Sequence, residues 1–159
     1  MRLIYALMIV VTLFSFGCSS HVDNAQLVNR EASLPSSFQF EAKGLTKVIS
    51  SSINRKKGTM NTLYGNDQAF QYAHTHADSN YPNGSVLALV TWTQQEDPHW
   101  FGANIPGALQ SIELVKINAT NASYEQFAGA ALTQTANSDT ALITKRTRYI
   151  LDEKPAVTP

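Results

Sequence analysis

"SVLALVTWTQ", residues 85–94, is the stretch on which the reading of the fold turns. It is rich in β-branched and aromatic residues that fit a pleated, packed surface. Alternate side chains of a strand face opposite ways. Val86, Ala88, Val90 and Trp92 therefore share one face, and Leu87, Leu89, Thr91 and Thr93 the other. Both faces are largely apolar, so the strand is expected inside a sheet covered on both sides. Upstream, "YPNG" at 81–84 breaks the chain with Pro82 and Gly84. Before it, "NDQAFQYAHTHA" at 66–77 spaces Ala69, Phe70, Ala73 and Ala77 as on a helix of about three turns. Asn66 or Asp67 stands ready to cap that helix. "TMNTLYG" at 59–65 reads as a short strand, and "FQFEA" and "LTKVIS" within 38–53 as one or two more. Between them Arg55-Lys56-Lys57-Gly58 is a basic turn, solvated or touching lipid headgroups. Downstream, "LQSIELVKI" at 109–117 is another strand and "NATNAS" at 118–123 a turn. Residues 140–153 fit helix or strand: Leu142, Arg146, Tyr149 and Ile150 suit a helix, and Pro155 would end it. The sum is an α+β domain over residues 37–159, an antiparallel β-sheet of four to five strands with two or three helices.

The chain has 159 residues, 43% of them hydrophobic, and a formal net charge of zero. That is one domain with a packed core. A neutral balance argues against nucleic-acid binding, which needs a basic face. The beginning is a separate object. Arg2 precedes an apolar run from Leu3 to Phe16, which suits a signal peptide and is short for a membrane span of roughly 20 residues. The run ends in Ser15-Phe16-Gly17-Cys18, which resembles the bacterial lipobox, with Ser15 replacing the usual Leu. An ordinary secretory signal cut nearby is the alternative. The lipobox reading makes 1–17 a lipoprotein signal peptide and Cys18 the lipidated mature N-terminus. Acyl chains such as palmitate would then hold the protein to a membrane, because each buried methylene adds about 0.8 kcal/mol. Ser19 gives no inner-membrane retention signal, so the expected place is the cell envelope, on the outer membrane facing the periplasm. Residues 18–36 are polar and read as a tether. Cys18 is also the only cysteine, which excludes an internal disulfide, a thiolate zinc site and a Cys-x-x-Cys-His haem attachment.

Four histidines remain as candidate chemistry. His21 falls in the tether. His74 and His76 stand two apart, about 200° around a helix, so one metal joins them only where the helix ends. His99 could complete such a site with Asp97 or Glu96 from the loop within "WTQQEDPHWFGANIPG", residues 92–107. Asp97, His99 and Trp100 make that loop the candidate functional segment. A loop histidine beside an aromatic can shuttle a proton or ligate haem. A buried histidine that fixes a turn by bonding a backbone carbonyl is the plainer reading and the expected one. No nucleophile elbow, phosphate loop or Ser/His/Asp spacing is present.

"GTMNTLYGND", "YPNGSVLALVTWTQQEDPHWFG" and "IPGALQSIELVKI", within residues 55–118, resemble the cytochrome P-460 family. The resemblance implies an antiparallel sheet with a few helices, often paired as a homodimer through the sheet. Haem-carrying members bear a c-type haem on a C-terminal Cys-x-x-Cys-His motif and oxidise hydroxylamine or bind nitric oxide. A lysine cross-link to the haem distinguishes the hydroxylamine oxidisers. The present chain has no cysteine after residue 18, and Leu89 and Thr93 stand where relatives can carry lysines. The resemblance therefore implies a branch that kept the sheet and lost covalent haem. Pro98, Gly102 and Pro106 would shape its loop, with Trp92 and Trp100 closing the core. The expectation is a lipid-anchored binding or interaction module with no cofactor. The alternatives are a periplasmic redox or gas-binding protein holding non-covalent haem on His99 or a helix histidine, and a small metal-dependent enzyme using His74, His76 and His99. If it is an enzyme, the resemblance makes it an oxidoreductase.

Overall fold

The computed structural model describes residues 28–119 and 121–156. The expected signal peptide, Cys18, His21 and the first part of the expected tether lie outside the described residues. The architecture is α+β. Six antiparallel strands follow one another as a meander, β1 (Lys47–Asn54), β2 (Thr59–Gly65), β3 (Val86–Glu96), β4 (Asn104–Ile117), β5 (Ala122–Ala128) and β6 (Thr133–Thr135). Among the described residues two α-helices accompany them, α1 (Asp67–Thr75) and α2 (Thr140–Asp152), which settles residues 140–152 as helical. The sheet thus has six strands where four or five were expected. The added strands lie at its end: β5 is half-buried along most of its length and β6 is exposed throughout, so neither carries a clear apolar alternation. No helix among the described residues is long and apolar enough to cross a membrane.

The central strand behaves as its pattern requires. Leu87 and Leu89 join Leu63, Ala69, Ala73, Val115 and Ile150 on the face that carries α1 and α2. Ala88, Val90 and Trp92 join Leu109, Ile112 and Leu114 on the opposite face. That second face is covered by the chain before β1. Residues 36–38 and 41–43 form short 3-10 turns rather than the expected strand. Gly44 ends the second turn at φ 71°, a left-handed conformation that glycine adopts without steric cost. These turns seat Phe38 edge-on to Phe127 at 5.2 Å and Phe40 edge-on to Tyr64 at 5.0 Å. The last part of the expected tether also packs on the domain. Ala32 and Leu34 lie against the same core, and the Ala32 carbonyl accepts from Trp92 Nε1 at 2.9 Å.

Asn66 fixes the start of α1. Its Oδ1 accepts from the Ala69 and Val86 backbone N–H groups at 3.0 and 3.2 Å, and its Nδ2 donates to the Gly84 carbonyl at 2.8 Å. One side chain therefore caps a helix and ties it to the head of β3. Asp139 caps α2 through the N–H groups of Ala141 and Leu142.

A polar cavity on the helix-covered sheet face

The helix-covered face changes character along β3. Leu87 lies opposite Gly65 and Val115, Leu89 opposite Leu63 and Glu113, and Thr91 opposite Asn61 and Ser111. Three rungs carry the face from apolar to polar. At the polar end α2 stands over the sheet, and a cavity of about 470 Å³ opens between them. Asn61, Thr91, Ser111 and Gln126 supply its hydroxyl and amide groups, and Leu89 and Leu142 its apolar patches. That volume lies within the roughly 300–1,000 Å³ range of small-molecule pockets.

The wall toward α2 is built on Glu113, which is 3% exposed. A buried carboxylate costs several kcal/mol unless it is paired and hydrogen-bonded, about as much as a domain can spare. Glu113 is both. Arg146 Nε donates to its Oε1 at 2.8 Å, and Arg146 Nη2 donates to Oε2, closing a two-pronged pair. The Tyr124 hydroxyl donates to Oε1 as well, at 2.5 Å. The bond to Glu113 raises the Arg146 pKa above its ordinary value. Burial first, and then the bond to Glu113, push the Tyr124 phenol up. Arg146 also sits 4.7 Å over the Tyr149 ring. A hydrogen bond with Glu153, with burial second, pushes the Tyr149 phenol to about 12. The charges of the wall thus cancel among themselves. What faces the cavity is a set of neutral donors and acceptors, with Lys57 the further cation in the lining.

The expected site residues lie elsewhere. Asp97 opens the β3–β4 hairpin loop, where its Oδ1 accepts from the backbone N–H groups of His99 and Trp100 at 2.8 and 3.3 Å. His99 is exposed, and its hydrogen bond is this backbone one. The expectation that its buried ring fixes the turn does not hold; the Asp97 carboxylate does that work. Trp100 does not close the core: it is 73% exposed, and Phe101 beside it is fully exposed. The cause is strand length. β2 pairs with β3 only as far as Thr93, so the hairpin beyond it projects past any layer on which Trp100 could pack. Trp92 does close the core, at 5% exposure.

His74 and His76 are exposed at the end of α1, as a helix tail would have them. His74 Nδ1 lies 2.9 Å from the Phe70 carbonyl, and His76 stacks on Tyr72 with centroids 4.1 Å apart. Neither they nor His99 line the cavity. Among the described residues no three His, Cys, Asp or Glu side chains are grouped for a metal ion, so His74, His76 and His99 are not brought together. Sequence reasoning missed Glu113, Arg146 and Tyr124. The available signal was Glu113 itself, a carboxylate set between Ile112 and Leu114 in an apolar strand, which demands a partner.

A search of curated proteins finds no match to the chain. The family model for cytochrome P-460 matches residues 43–143, well over half of the 159 residues and the whole sheet from β1 to β6. Its span takes in Glu113 and Tyr124 and ends three residues short of Arg146. The chain belongs to the cytochrome P-460 family.

Proposed function

We propose that the protein is a lipid-anchored envelope protein whose cytochrome P-460 domain binds a small, uncharged polar ligand and carries no covalent haem. The observation that carries this reading is the lining of the cavity. Asn61, Thr91, Ser111 and Gln126 present neutral hydrogen-bonding groups, and the Glu113 charge is already matched by Arg146. A cation would find nothing there to neutralise it and an anion Lys57 alone, whereas hydroxyls or amides would find both donors and acceptors. The residues do not fit the haem of the family. Covalent attachment needs two cysteines and a histidine in one motif, and the chain has a single cysteine at position 18. The cavity lining holds no histidine, methionine or cysteine to serve as an axial ligand, and its tyrosines are held as neutral phenols, Tyr124 on Glu113 and Tyr149 with its pKa pushed to about 12.

Visible spectroscopy tests the haem half. Protein purified from haem-replete cells is expected to be colourless and, on addition of haemin, to show no shifted and sharpened Soret band beyond that of free haemin. A band that saturates at one haem per chain overturns it. Amide chemical shifts test the ligand half: neutral polyols and amides are expected to perturb Asn61, Thr91 and Ser111. A response confined to anions, or none at these residues, overturns it. The anchor rests on the apolar run that ends at Gly17-Cys18. Cys18→Ser is expected to leave an unprocessed precursor without acyl label, and normal processing of that variant would mean ordinary secretion.

A further inference from the structure

The end of the sheet that carries the β3–β4 hairpin tip gathers three features, and of their aromatic and charged residues Lys57 alone also lines the cavity. The first is aromatic. Trp100 and Phe101 stand out from the tip at 73% and 110% relative exposure. An adjacent tryptophan and phenylalanine in water is an expensive placement, because each forfeits the burial that normally stabilises it. The tip is held in shape by the Asp97 carboxylate, by the Asp97 N–H bond to the Ala103 carbonyl at 3.0 Å, and by Gly102 at φ 79°. The pair is therefore presented by a defined turn.

The second feature is basic. The β1–β2 turn lies at the same end, since Thr59 pairs with Thr93 and Gln94 N–H donates to the Gly58 carbonyl at 2.8 Å. Arg55, Lys56 and Lys57 are all exposed there. Acidic groups share the region: Glu96 and Asp97 on the hairpin, Glu31 on the entering chain, and Glu153 beside Arg55 and Lys56. The charges nearly balance, so the aromatic pair, and not net charge, must carry any contact.

The third feature is where the chain comes in. Asn29 Nδ2 donates to the Pro106 carbonyl at 2.5 Å, and Pro106 pairs with Gln94, two rungs from the loop. The segment leading from Cys18 thus reaches the domain at the hairpin end. Residues 19–27 separate Cys18 from the first described residue, and nine residues span at most about 30 Å.

We propose that this end of the sheet docks on a phospholipid membrane, with Trp100 and Phe101 inserted at the headgroup level and Arg55, Lys56 and Lys57 meeting phosphates beside them. Tryptophan prefers the membrane–water interface because its ring is apolar and its N–H polar. Phenylalanine adds apolar area, and lysine and arginine stems reach from an apolar surface to charged headgroups. The inference rests on the reading that the chain is anchored at a membrane. The anchor supplies what the tip lacks. A short link holds a second contact at about millimolar effective concentration, so a docking site too weak to recruit the protein alone stays occupied. Docking by this end also fixes the orientation of the domain, with the sheet standing off the bilayer and the start of α1, at the other end of β2, pointing away from it.

The test uses the full chain reconstituted into vesicles of phosphatidylcholine and phosphatidylglycerol. Flotation reads the anchor, and quenching of tryptophan emission by brominated phosphatidylcholine reads the tip. Only Trp92 and Trp100 emit, and Trp92 is buried. The expected result is a blue shift and quenching that disappear in Trp100→Ala while flotation persists. Because the tip charges nearly balance, quenching should fall only slightly in high salt. Failure to float overturns the anchor and the docking together. Flotation without quenching of Trp100 overturns the docking alone. A blue shift that depends on protein concentration and ignores brominated lipid assigns the tip to a second copy of the chain, and also overturns it.

Discussion

Glu113 sits between two fully buried residues, Ile112 and Leu114, yet its own side chain points into the polar half of the other face. Strand alternation alone produces that contrast, and the cost is met by Arg146 from a helix 33 residues away. Breaking a buried pair by removing one partner typically costs about 3–5 kcal/mol, and the Arg146 side chain is 32% exposed, which screens part of that. Glu113→Ala is therefore expected to lose about 2–3 kcal/mol in urea denaturation. Replacing both partners by Leu and Met should restore most of the loss, because paired apolar side chains leave no orphaned charge. Losses that simply add in the double variant would show that the two do not act as a pair. Asp78 offers a contrast at the surface. The hydrogen bond from the Tyr72 hydroxyl, with that from the Asn80 N–H second, lowers its pKa, and the same bond pushes Tyr72 up to about 12. A depressed carboxylate stabilises the fold above its unfolded pKa of about 3.9 and loses that contribution as pH falls through the folded value. Asp78→Asn should thus melt below the parent at pH 7, and the gap should close in acid. A gap that stays constant from pH 7 to pH 2 would remove the carboxylate from the account.

Helix α1 reaches the sheet over Gly65, the last residue of β2, and the seat is close. A Cβ at Gly65 would lie 2.7 Å from Ile49 Cδ1 and 3.1 Å from Ala69 Cβ. The isoleucine tip can turn aside, but the alanine is fixed to the helix. Gly65→Ala is expected to cost about 1–3 kcal/mol, the usual penalty for overpacking. Trimming the neighbour with Ile49→Val should return part of it; a Gly65→Ala protein as stable as the parent would mean that α1 rides higher on the sheet than described. The elements differ in how plainly the sequence announces them. The faces of β3 and the capped start of α1 follow from patterns within a dozen residues. The segment before β1 does not: "FQFEA" alternates like a strand, yet Gln39 at φ 53° and Gly44 at φ 71° turn it into 3-10 loops that deliver Phe38 and Phe40 to the core. Its form is set by the open sheet face, which no local pattern records. The cavity was hidden for the same reason. Thr91, Ser111 and Glu113 were visible as polar residues on strands, but their meeting depends on register, and Arg146 on the placement of α2. The histidines drew attention because of their chemistry, and they lie on a helix tail and a hairpin tip.

The meander has two faces to cover, and its two helices lie on one of them. At the scale of the whole molecule, the chain before β1 is the second layer. Phe38 is 5% exposed and touches Phe40 and Phe127, so it bridges this segment to β5. Trp92 anchors the segment's other end by donating to the Ala32 carbonyl. A truncation that treats residues up to 36 as a dispensable tether would strip Asn29, Ala32 and Leu34 from the sheet. Point substitutions isolate the effect without changing chain length. Truncating a buried large aromatic costs about 3–5 kcal/mol, so Phe38→Ala and Trp92→Ala should each lower the melting temperature by about 12–20 °C. Trp92→Phe keeps most of the packing and loses the indole donor, leaving the Ala32 carbonyl without its partner, and should cost about 1 kcal/mol. The two alanine variants share one cluster, so the pair together should lose less than the sum of the singles: once Phe38 is gone, the segment is loosened and Trp92 has less left to hold. Hydrogen exchange gives the check on the layer itself. In Phe38→Ala the amides of Leu45 and of the turns before it should lose protection, while those of Leu63 and Val115, under the helices, keep theirs. Uniform loss across both faces would mean that the sheet and its second layer unfold as one unit, and that the segment is part of the cooperative core and not a cover laid upon it.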